Sequence, residues 1–362
     1  MKNILLILAF LGSFATSWAQ EKSYIILEGT VGKYPIVMNL HQEDWHIDSD
    51  ETKTRVWVGD YYYKTQEKPI ALGESDRNGN QITLNTWEFE KEEEIETFQG
   101  VLENGKFKGT WQKGKTKLDF DLKESNSSDY TPIVHYQAER KVSSGFKNTD
   151  YPIEGKFSLD FYLPKDAKLQ KELVEQLFST YTNFDQFSKF QLDSLESDYK
   201  EILKEYENED EMVHFLNFET MHFFAPYLNT KNYLVMNYFG YEYTGGAHGM
   251  SWEKYLTYDK QRKQWLEIQD ILEVSKAKEI NQVLDKVLRK EFNIPNGQLY
   301  TEAEVGIFLV DEISYSENFK LSKNGITFCY GLYEMTPYAY GFFELFVPFE
   351  DLKPYLKKGF SY

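Results

Sequence analysis

The chain has 362 residues, 58 acidic and 40 basic side chains, and a formal net charge of −18. This acidity would repel nucleic acid phosphates, so it argues against nucleic-acid binding, and it either serves solubility or attracts a cationic partner. Aromatic residues make up 17 % of the chain, which favours packed sheets over disorder, and the length suits two domains of about 150 residues each.

The first residues read "MKNILLILAFLGSFATSWAQ" and are typical of a secretory signal peptide. Lys2 supplies the positive start, residues 4–11 form an apolar run, and Ser17 and Ala19 are small residues at the expected cleavage positions. We therefore predict a signal peptide over residues 1–19 and an exported protein, periplasmic or secreted. The apolar run is shorter than the roughly 20 residues of a membrane-spanning helix, so no membrane insertion is expected.

Residues 20–124 are predicted to form an antiparallel β domain. Seven or eight short alternating segments are separated by turn residues, and Asn-Gly pairs at 77–80 and 103–106 are typical of tight hairpins. This pattern predicts a meander that closes, or nearly closes, into a small barrel. Residues 109–116 match the Gly-x4-Gly-Lys-Thr pattern of a phosphate-binding loop, but an alternating segment follows instead of a helix. We expect a hairpin there and no nucleotide binding.

A polar stretch at 123–132 is predicted to be a linker, and residues 130–362 to form an α+β domain with an antiparallel sheet packed by helices. Helices are predicted over 164–181, with Asp166 as N-cap, over 184–206, and from Ser275. The apolar stripe of the second helix is predicted to contain Phe187, Phe190, Leu195, Tyr199, Leu203 and Tyr206. The predicted strands are 214–225, 233–243, 252–259 and a C-terminal hairpin through Asn324-Gly325.

The segment "YEYTGGAHG" at 241–249 raises the main functional question. A strand ends where Gly245 and Gly246 allow positive φ, and His248 follows. This histidine fits three roles: a ligand, a base, or a donor that locks the loop by bonding backbone carbonyls. The structural role is favoured, because no cysteine or second histidine stands at metal-ligand spacing. No metal, other cofactor or catalytic residue is predicted. Cys329, the single cysteine, is expected to be a small buried hydrophobe.

A family resemblance starts from the same residues. "YEYTGGAHG" and "LYEMTPYAYGFFELFVPFEDLKPYL" at 332–356 resemble the extracytoplasmic domain of the anti-sigma factor RsiV, which also accompanies the catalytic domain of the peptidoglycan deacetylase PdaC. The resemblance covers about residues 130–362. It implies an α+β fold whose two parts share one sheet, and a domain that binds lysozyme and is not itself an enzyme. The chain departs from the family at 260–263, "KQRK", where a Thr-Gly pair is usual.

Three functional hypotheses follow, the weakest being that the N-terminal barrel holds a small apolar ligand. The preferred one is an exported, non-enzymatic cell-envelope binding protein that recognises lysozyme-like or other cell-wall-active proteins, or cell-wall fragments. The alternative is a cell-envelope hydrolase or deacetylase acting on glycan or peptide, with His248 and carboxylates such as Glu242 in the site. The predicted binding residues are Tyr241, Tyr243, Gly245, Gly246, His248, Tyr333, Pro337, Tyr338 and Tyr340.

Overall fold

The computed structural model describes residues 23–46, 53–86, 95–146, 152–206 and 213–360. The predicted signal peptide lies outside these residues. The first part is a closed barrel in which each strand pairs antiparallel with the next, and β8 returns to β1. Its strands are β1 (Tyr24–Val31), β2 (Tyr34–His46), β3 (Lys53–Tyr63), β4 (Ile70–Asn78), β5 (Gln81–Thr86), β6 (Glu96–Glu103), β7 (Lys106–Lys113) and β8 (Thr116–Glu124).

The barrel confirms the predicted meander, and its alternating side chains fill its interior. Fully buried side chains such as Tyr61, Phe98 and Phe107 meet there, so this is a packed core of the kind that eight strands can just fill. The segment that resembles a phosphate-binding loop is the hairpin between β7 and β8, with Gly114 at φ 54° in its turn. The expectation of a hairpin at this point is therefore confirmed.

The second part is built on a six-stranded sheet with the order β14-β13-β12-β11-β10-β9. Its strands are β9 (Ile133–Ser143), β10 (Glu154–Pro164), β11 (Phe218–Asn229), β12 (Tyr233–Tyr243), β13 (Met250–Asp259) and β14 (Gln264–Leu266). All neighbours are antiparallel except β10 and β11, which run parallel because two helices carry the chain across between them. β9, β10 and the parallel pairing were not predicted from the sequence.

Two helices cover one face of this sheet: α1 (Ala167–Glu175) and α2 (Phe184–Glu205). The Asp166 carboxylate accepts a hydrogen bond from the Leu169 amide, so the predicted N-cap is confirmed. The prediction for Phe190 was wrong, since this side chain is 64 % exposed. At 100° per residue, Phe190 lies about 200° around the helix from buried Ser188, which places it on the solvent side.

The C-terminal part has its own core and its own three-stranded sheet. Its elements are α3 (Ile268–Ile271), α4 (Ala277–Glu291), β15 (Phe319–Leu321), β16 (Gly325–Tyr330), β17 (Phe343–Pro348) and α5 (Phe349–Leu352). The resemblance implied a single shared sheet for residues 130–362, but the described strands of that stretch form two. The Asn318 side chain joins them: its Oδ1 accepts from the Tyr255 amide at 2.8 Å, and its Nδ2 donates to the Glu253 carbonyl at 3.0 Å. A side chain thus takes the place of a strand-to-strand ladder.

The turn at 260–263 still closes a hairpin between β13 and β14, although it lacks the family's usual glycine. Lys263 adopts φ 55°, the left-handed conformation that glycine normally takes. Asp259 compensates, because its Oδ1 accepts from the amides of Gln261 and Arg262 at 2.9 and 2.8 Å.

The barrel packs against the sheet face that the helices leave free. Barrel residues Ile26, Val37 and Tyr62 form one buried cluster with Leu228 and Val235 of the sheet. Polar contacts reinforce this interface at the predicted linker, where the Thr131 amide donates to Asn229 and the Asn229 side chain donates back to the Thr131 carbonyl. The linker is consequently tied to the sheet at Thr131.

Candidate functional site

The first loop of the candidate site is the turn from β12 to β13. Gly245 and Gly246 have φ values of 98° and 102°, which side chains rarely adopt, so the predicted need for glycine there agrees with the backbone. The Tyr243 hydroxyl donates to the Gly246 carbonyl at 3.0 Å and closes the turn. The loop thus has an internal structure and holds His248 in one position at its exit.

The second loop spans 333–341 and lies between β16 and β17. Tyr333 has φ 66°, an unusual conformation for a bulky residue, and this kind of strain is concentrated at functional sites. Pro337 precedes a short 3-10 helix, Tyr338–Tyr340, and Gly341 at φ 71° ends it. The turn points the tyrosines outward: Tyr333 is 48 % exposed and Tyr340 58 %.

The two loops meet at His248, although about 90 residues separate them in sequence. The imidazole stacks on the Tyr338 ring with the centroids 4.1 Å apart and the planes inclined by 27°. Its Nδ1 donates to the Gly249 carbonyl at 2.9 Å, and the Tyr338 hydroxyl donates to the same carbonyl at 3.0 Å. The Tyr333 hydroxyl lies 3.5 Å from Nε2, a long and weak contact. His248 is therefore a structural link between the loops.

Gly249 explains why the loop must end in glycine. A Cβ atom there would lie 2.5 Å from ring atoms of Tyr241, closer than real contacts allow. The Tyr241 ring covers this backbone, and burial together with nearby Glu219 raises the pKa of its phenol. Tyr241 thus supports the loop from beneath, while the exposed tyrosines form its outer surface.

We refer to the exposed cluster as the tyrosine surface, and its members are Tyr243, His248, Tyr333, Tyr338 and Tyr340. Of the predicted binding residues, the structure brings His248, Tyr333 and Tyr338 into contact, and whether the set binds a partner remains a prediction. The prediction missed Met250, which is 42 % exposed at the end of the first loop. Met250 pairs with Glu242 in the β12–β13 ladder, and no pattern in the sequence marked its side chain as exposed.

The His248 geometry bears on the enzyme hypothesis. Its recorded hydrogen-bond contacts are the Gly249 carbonyl and the Tyr333 hydroxyl, and neither is a carboxylate. A carboxylate that would orient the ring and stabilise its charged form, as in a catalytic triad, is thus not among these contacts. Glu242, the acid suggested for this role, is exposed on the strand before the loop.

A cluster elsewhere in the chain combines donor atoms that a metal could use. Ligand atoms of Glu253, Cys329 and Glu344 lie within 4.8 Å of one another. The Lys320 ammonium contacts Glu344 and lies 4.5 Å from the centre of the Tyr255 ring, so a cation of the protein already balances the carboxylates. This arrangement fits a partly buried ion pair better than a metal site.

The fold and site together define the class of protein: a closed eight-stranded barrel joined to an α+β unit of two sheets, with a tyrosine-rich loop surface. Residues 154–251 match the family model described as "Deacetylase PdaC", and residues 269–350 match the model described as "Protein of unknown function (DUF3298)". The predicted resemblance to RsiV- and PdaC-type domains is thereby confirmed. These matches indicate a cell-envelope-related protein, and domains of this type are typical of extracytoplasmic proteins.

One solved structure shows a similar fold over about 63 % of the chain. A DUF3298 family member from Bacteroides fragilis NCTC 9343 is 22 % identical, with a TM-score of 0.54 over 63 % of this chain and 95 % of its own. A DUF3298 family protein from Pseudomonas aeruginosa PAO1 is 13 % identical, with a TM-score of 0.44 over 64 % of this chain and 97 % of its own. No curated protein matches the sequence. Among the described residues, every helix is too short or too polar to cross a bilayer.

Proposed function

We propose that the chain is an exported, non-enzymatic binding protein of the cell envelope, and that the tyrosine surface contacts a cationic protein such as lysozyme. The observation that carries this proposal is the convergence of two distant loops into one exposed aromatic cluster around His248. Tyrosines offer rigid contact area with a polar tip, and they are enriched among the residues that dominate protein interfaces.

Charge supports a cationic partner. The chain carries −18, and loss of the predicted signal peptide with Lys2 would make this −19. A field of this sign speeds the approach of a basic protein, and salt screens it, with a Debye length of about 10 Å at 0.1 M and about 3 Å at 1 M. Short-range contacts through the tyrosines depend little on salt. The on-rate should therefore fall steeply with salt while the off-rate changes little.

Surface plasmon resonance with immobilised lysozyme tests this proposal at about 0.05 M and about 1 M salt. Tyr340→Ala should raise the off-rate about tenfold, because this side chain is 58 % exposed and its removal takes away contact area without opening the core. Tyr34→Ala is the matched control: Tyr34 is 48 % exposed, but it lies on a barrel hairpin.

Absence of binding at about 100 μM lysozyme in low salt would remove lysozyme as the partner. Equal effects of Tyr340→Ala and Tyr34→Ala would place the contact elsewhere on the protein. Cell-wall fragments serve as a second analyte. Tight binding of these fragments without binding of lysozyme would redirect the proposal from a protein partner to a glycan. If the wild type turned over such fragments and His248→Gln did not, the result would support the alternative of a hydrolase or deacetylase.

A further inference from the structure

A cleft of about 480 Å³ lies on the helix-covered face of the six-stranded sheet, beside the end of α1. Its size is in the range of small-molecule sites, which are typically aromatic with a few polar groups. Side chains alternate between the two faces of the sheet along β12 and β13, so Tyr241 and Trp252 point to opposite faces. The cleft therefore lies on the face opposite to Tyr241 and the tyrosine surface. The cleft is lined by Leu177, Phe178, His222, Tyr238, Trp252, Glu253, Lys254 and Asn318.

A glycine creates the floor of the cleft. His222, Gly240 and Trp252 are direct neighbours in register across β11, β12 and β13. A Cβ on Gly240 would lie 2.3 Å from the indole, so the Trp252 ring lies across the bare backbone and forms a flat platform. It remains 37 % exposed. Phe178 stands edge-on to His222 and Tyr238, with centroids 5.6 and 5.8 Å away, and forms a wall.

A hydrogen bond holds His222 beside the platform, because the Tyr238 hydroxyl lies 2.7 Å from its Nδ1. Burial lowers the pKa of His222 to about 4, so the ring is neutral near pH 7. When the Tyr238 hydroxyl donates to Nδ1, the single ring hydrogen is on Nε2, and Nε2 is then the donor that His222 offers to a ligand.

The other polar groups at the cleft also favour an acceptor as ligand. Lys254 is an exposed cation with no salt bridge to another described residue. The Asn318 amide is already held by the backbone of β13. The Glu253 carboxylate points to the opposite face, where the Tyr255 hydroxyl donates to it at 3.1 Å.

We propose that this cleft binds a small aromatic carboxylate, with its ring stacked on Trp252 and its carboxylate directed at His222 Nε2 and Lys254. The site is separate from the tyrosine surface, so this proposal and the proposed binding of lysozyme can fail independently.

Calorimetry of the full chain with two probes tests the site: 2-naphthoate and the uncharged 2-naphthamide, at pH near 7. We expect saturable one-to-one binding of naphthoate. Trp252→Leu should weaken it about tenfold or more by removing the platform. Lys254→Met changes an exposed side chain; it should weaken the binding of naphthoate several-fold and leave the binding of naphthamide unchanged. Trp265→Phe, on β14 outside the cleft, is the control and should change the affinity for neither probe.

Three results would overturn the proposal. The first is the absence of a saturable heat of binding with naphthoate up to about 5 mM, because an affinity weaker than this would be negligible. The second is equal affinity for naphthoate and naphthamide, which would remove the role of the carboxylate. The third is tighter binding of an N-acetylglucosamine oligomer than of naphthoate, which would assign the cleft to a sugar. Because Lys254→Met and the two-probe comparison do not depend on Trp252→Leu folding, the site stays testable if that variant is unstable.

Discussion

At the scale of single residues, the tyrosine surface depends on close packing of backbone against aromatic rings. Gly249 and Tyr241 are in direct contact, and His248 stacks on Tyr338 above them. The sequence pointed to these residues because glycines and a histidine at a strand end are unusual. It gave no sign that Tyr241 would cover Gly249, since that contact depends on how the loop folds back over the strand.

Gly249→Ala should destabilise the protein by about 1–3 kcal/mol, because the new methyl group overlaps the Tyr241 ring and must displace it. Gly331→Ala is the control: the same methyl group there meets its nearest neighbour, Glu334, at 3.4 Å, an ordinary contact. Urea unfolding of both variants measures the difference. Equal stability of the two would mean that the loop adjusts freely and that Tyr241 does not support it.

Glu253 should make stability depend on pH. Burial raises the pKa of its carboxyl from 4.5 to about 7, so the folded state keeps this proton over a range in which the unfolded state has lost it. The stability contributed by the protonated form is complete below about pH 4.5 and is lost as pH rises towards 7. Between these pH values, the free energy of unfolding of the wild type should fall by on the order of 1–3 kcal/mol relative to that of Glu253→Gln.

Denaturant unfolding at several pH values checks this difference. Buried His222 also titrates, but it is present in both proteins and cancels in the comparison. Exposed Glu242→Gln serves as control and should show no such trend. A wild type that gains stability over Glu253→Gln as pH rises would contradict the assigned direction.

At the scale of elements, sequence patterns predicted strands and helices well where their periodicity was local. β12 has the predicted bounds, and α2 differs from its prediction by one residue. β9 and β10 were missed even though Phe157, Leu159 and Phe161 alternate along β10. The division into two sheets could not be read from the sequence, because it depends on the side chain of Asn318 taking the place of a ladder.

Asn318→Ala should lower stability by about 2–3 kcal/mol, because it leaves the Tyr255 amide and the Glu253 carbonyl without these partners at the junction of the two sheets. Asn281→Ala removes a similar pair of bonds, but both lie within the C-terminal part and one joins exposed side chains, so a smaller loss is expected. Thermal melts followed by circular dichroism compare them. A smaller effect at Asn318 than at Asn281 would show that the sheets hold together without this link.

At the scale of the whole molecule, the barrel and the sheet are joined by a shared apolar cluster and by polar contacts at the linker. Lys260 lies at the centre of these contacts: its Nζ donates to the carbonyls of Asp129 and Thr230 and to the Asn229 side chain at 3.0, 2.5 and 2.9 Å. Burial lowers the pKa of this lysine to about 8. One side chain thus ties the linker to the edge of the sheet.

Lys260→Met should destabilise the protein by about 1–3 kcal/mol, since three acceptors lose a partly buried donor. It should also loosen the barrel from the sheet, so that calorimetry resolves a broader or divided transition. Exposed Lys231→Met removes a nearby charge without these contacts and should melt as the wild type does. A single sharp transition at the wild-type temperature in Lys260→Met would indicate that the apolar cluster alone joins the two parts.

The sequence by itself determined the strands of the barrel, most of the helical faces, the hairpin at 109–116 and the two loop motifs, because each depends on periodicity or turn residues within a short segment. Only the tertiary structure decided that β8 closes the barrel onto β1, that the two loops meet at His248, that Trp252 lies over Gly240 as the floor of a cleft, and that Lys320 contacts the carboxylate cluster. These features bring together residues from distant strands. Their positions follow from strand register and packing, which the local pattern of polar and apolar residues does not specify.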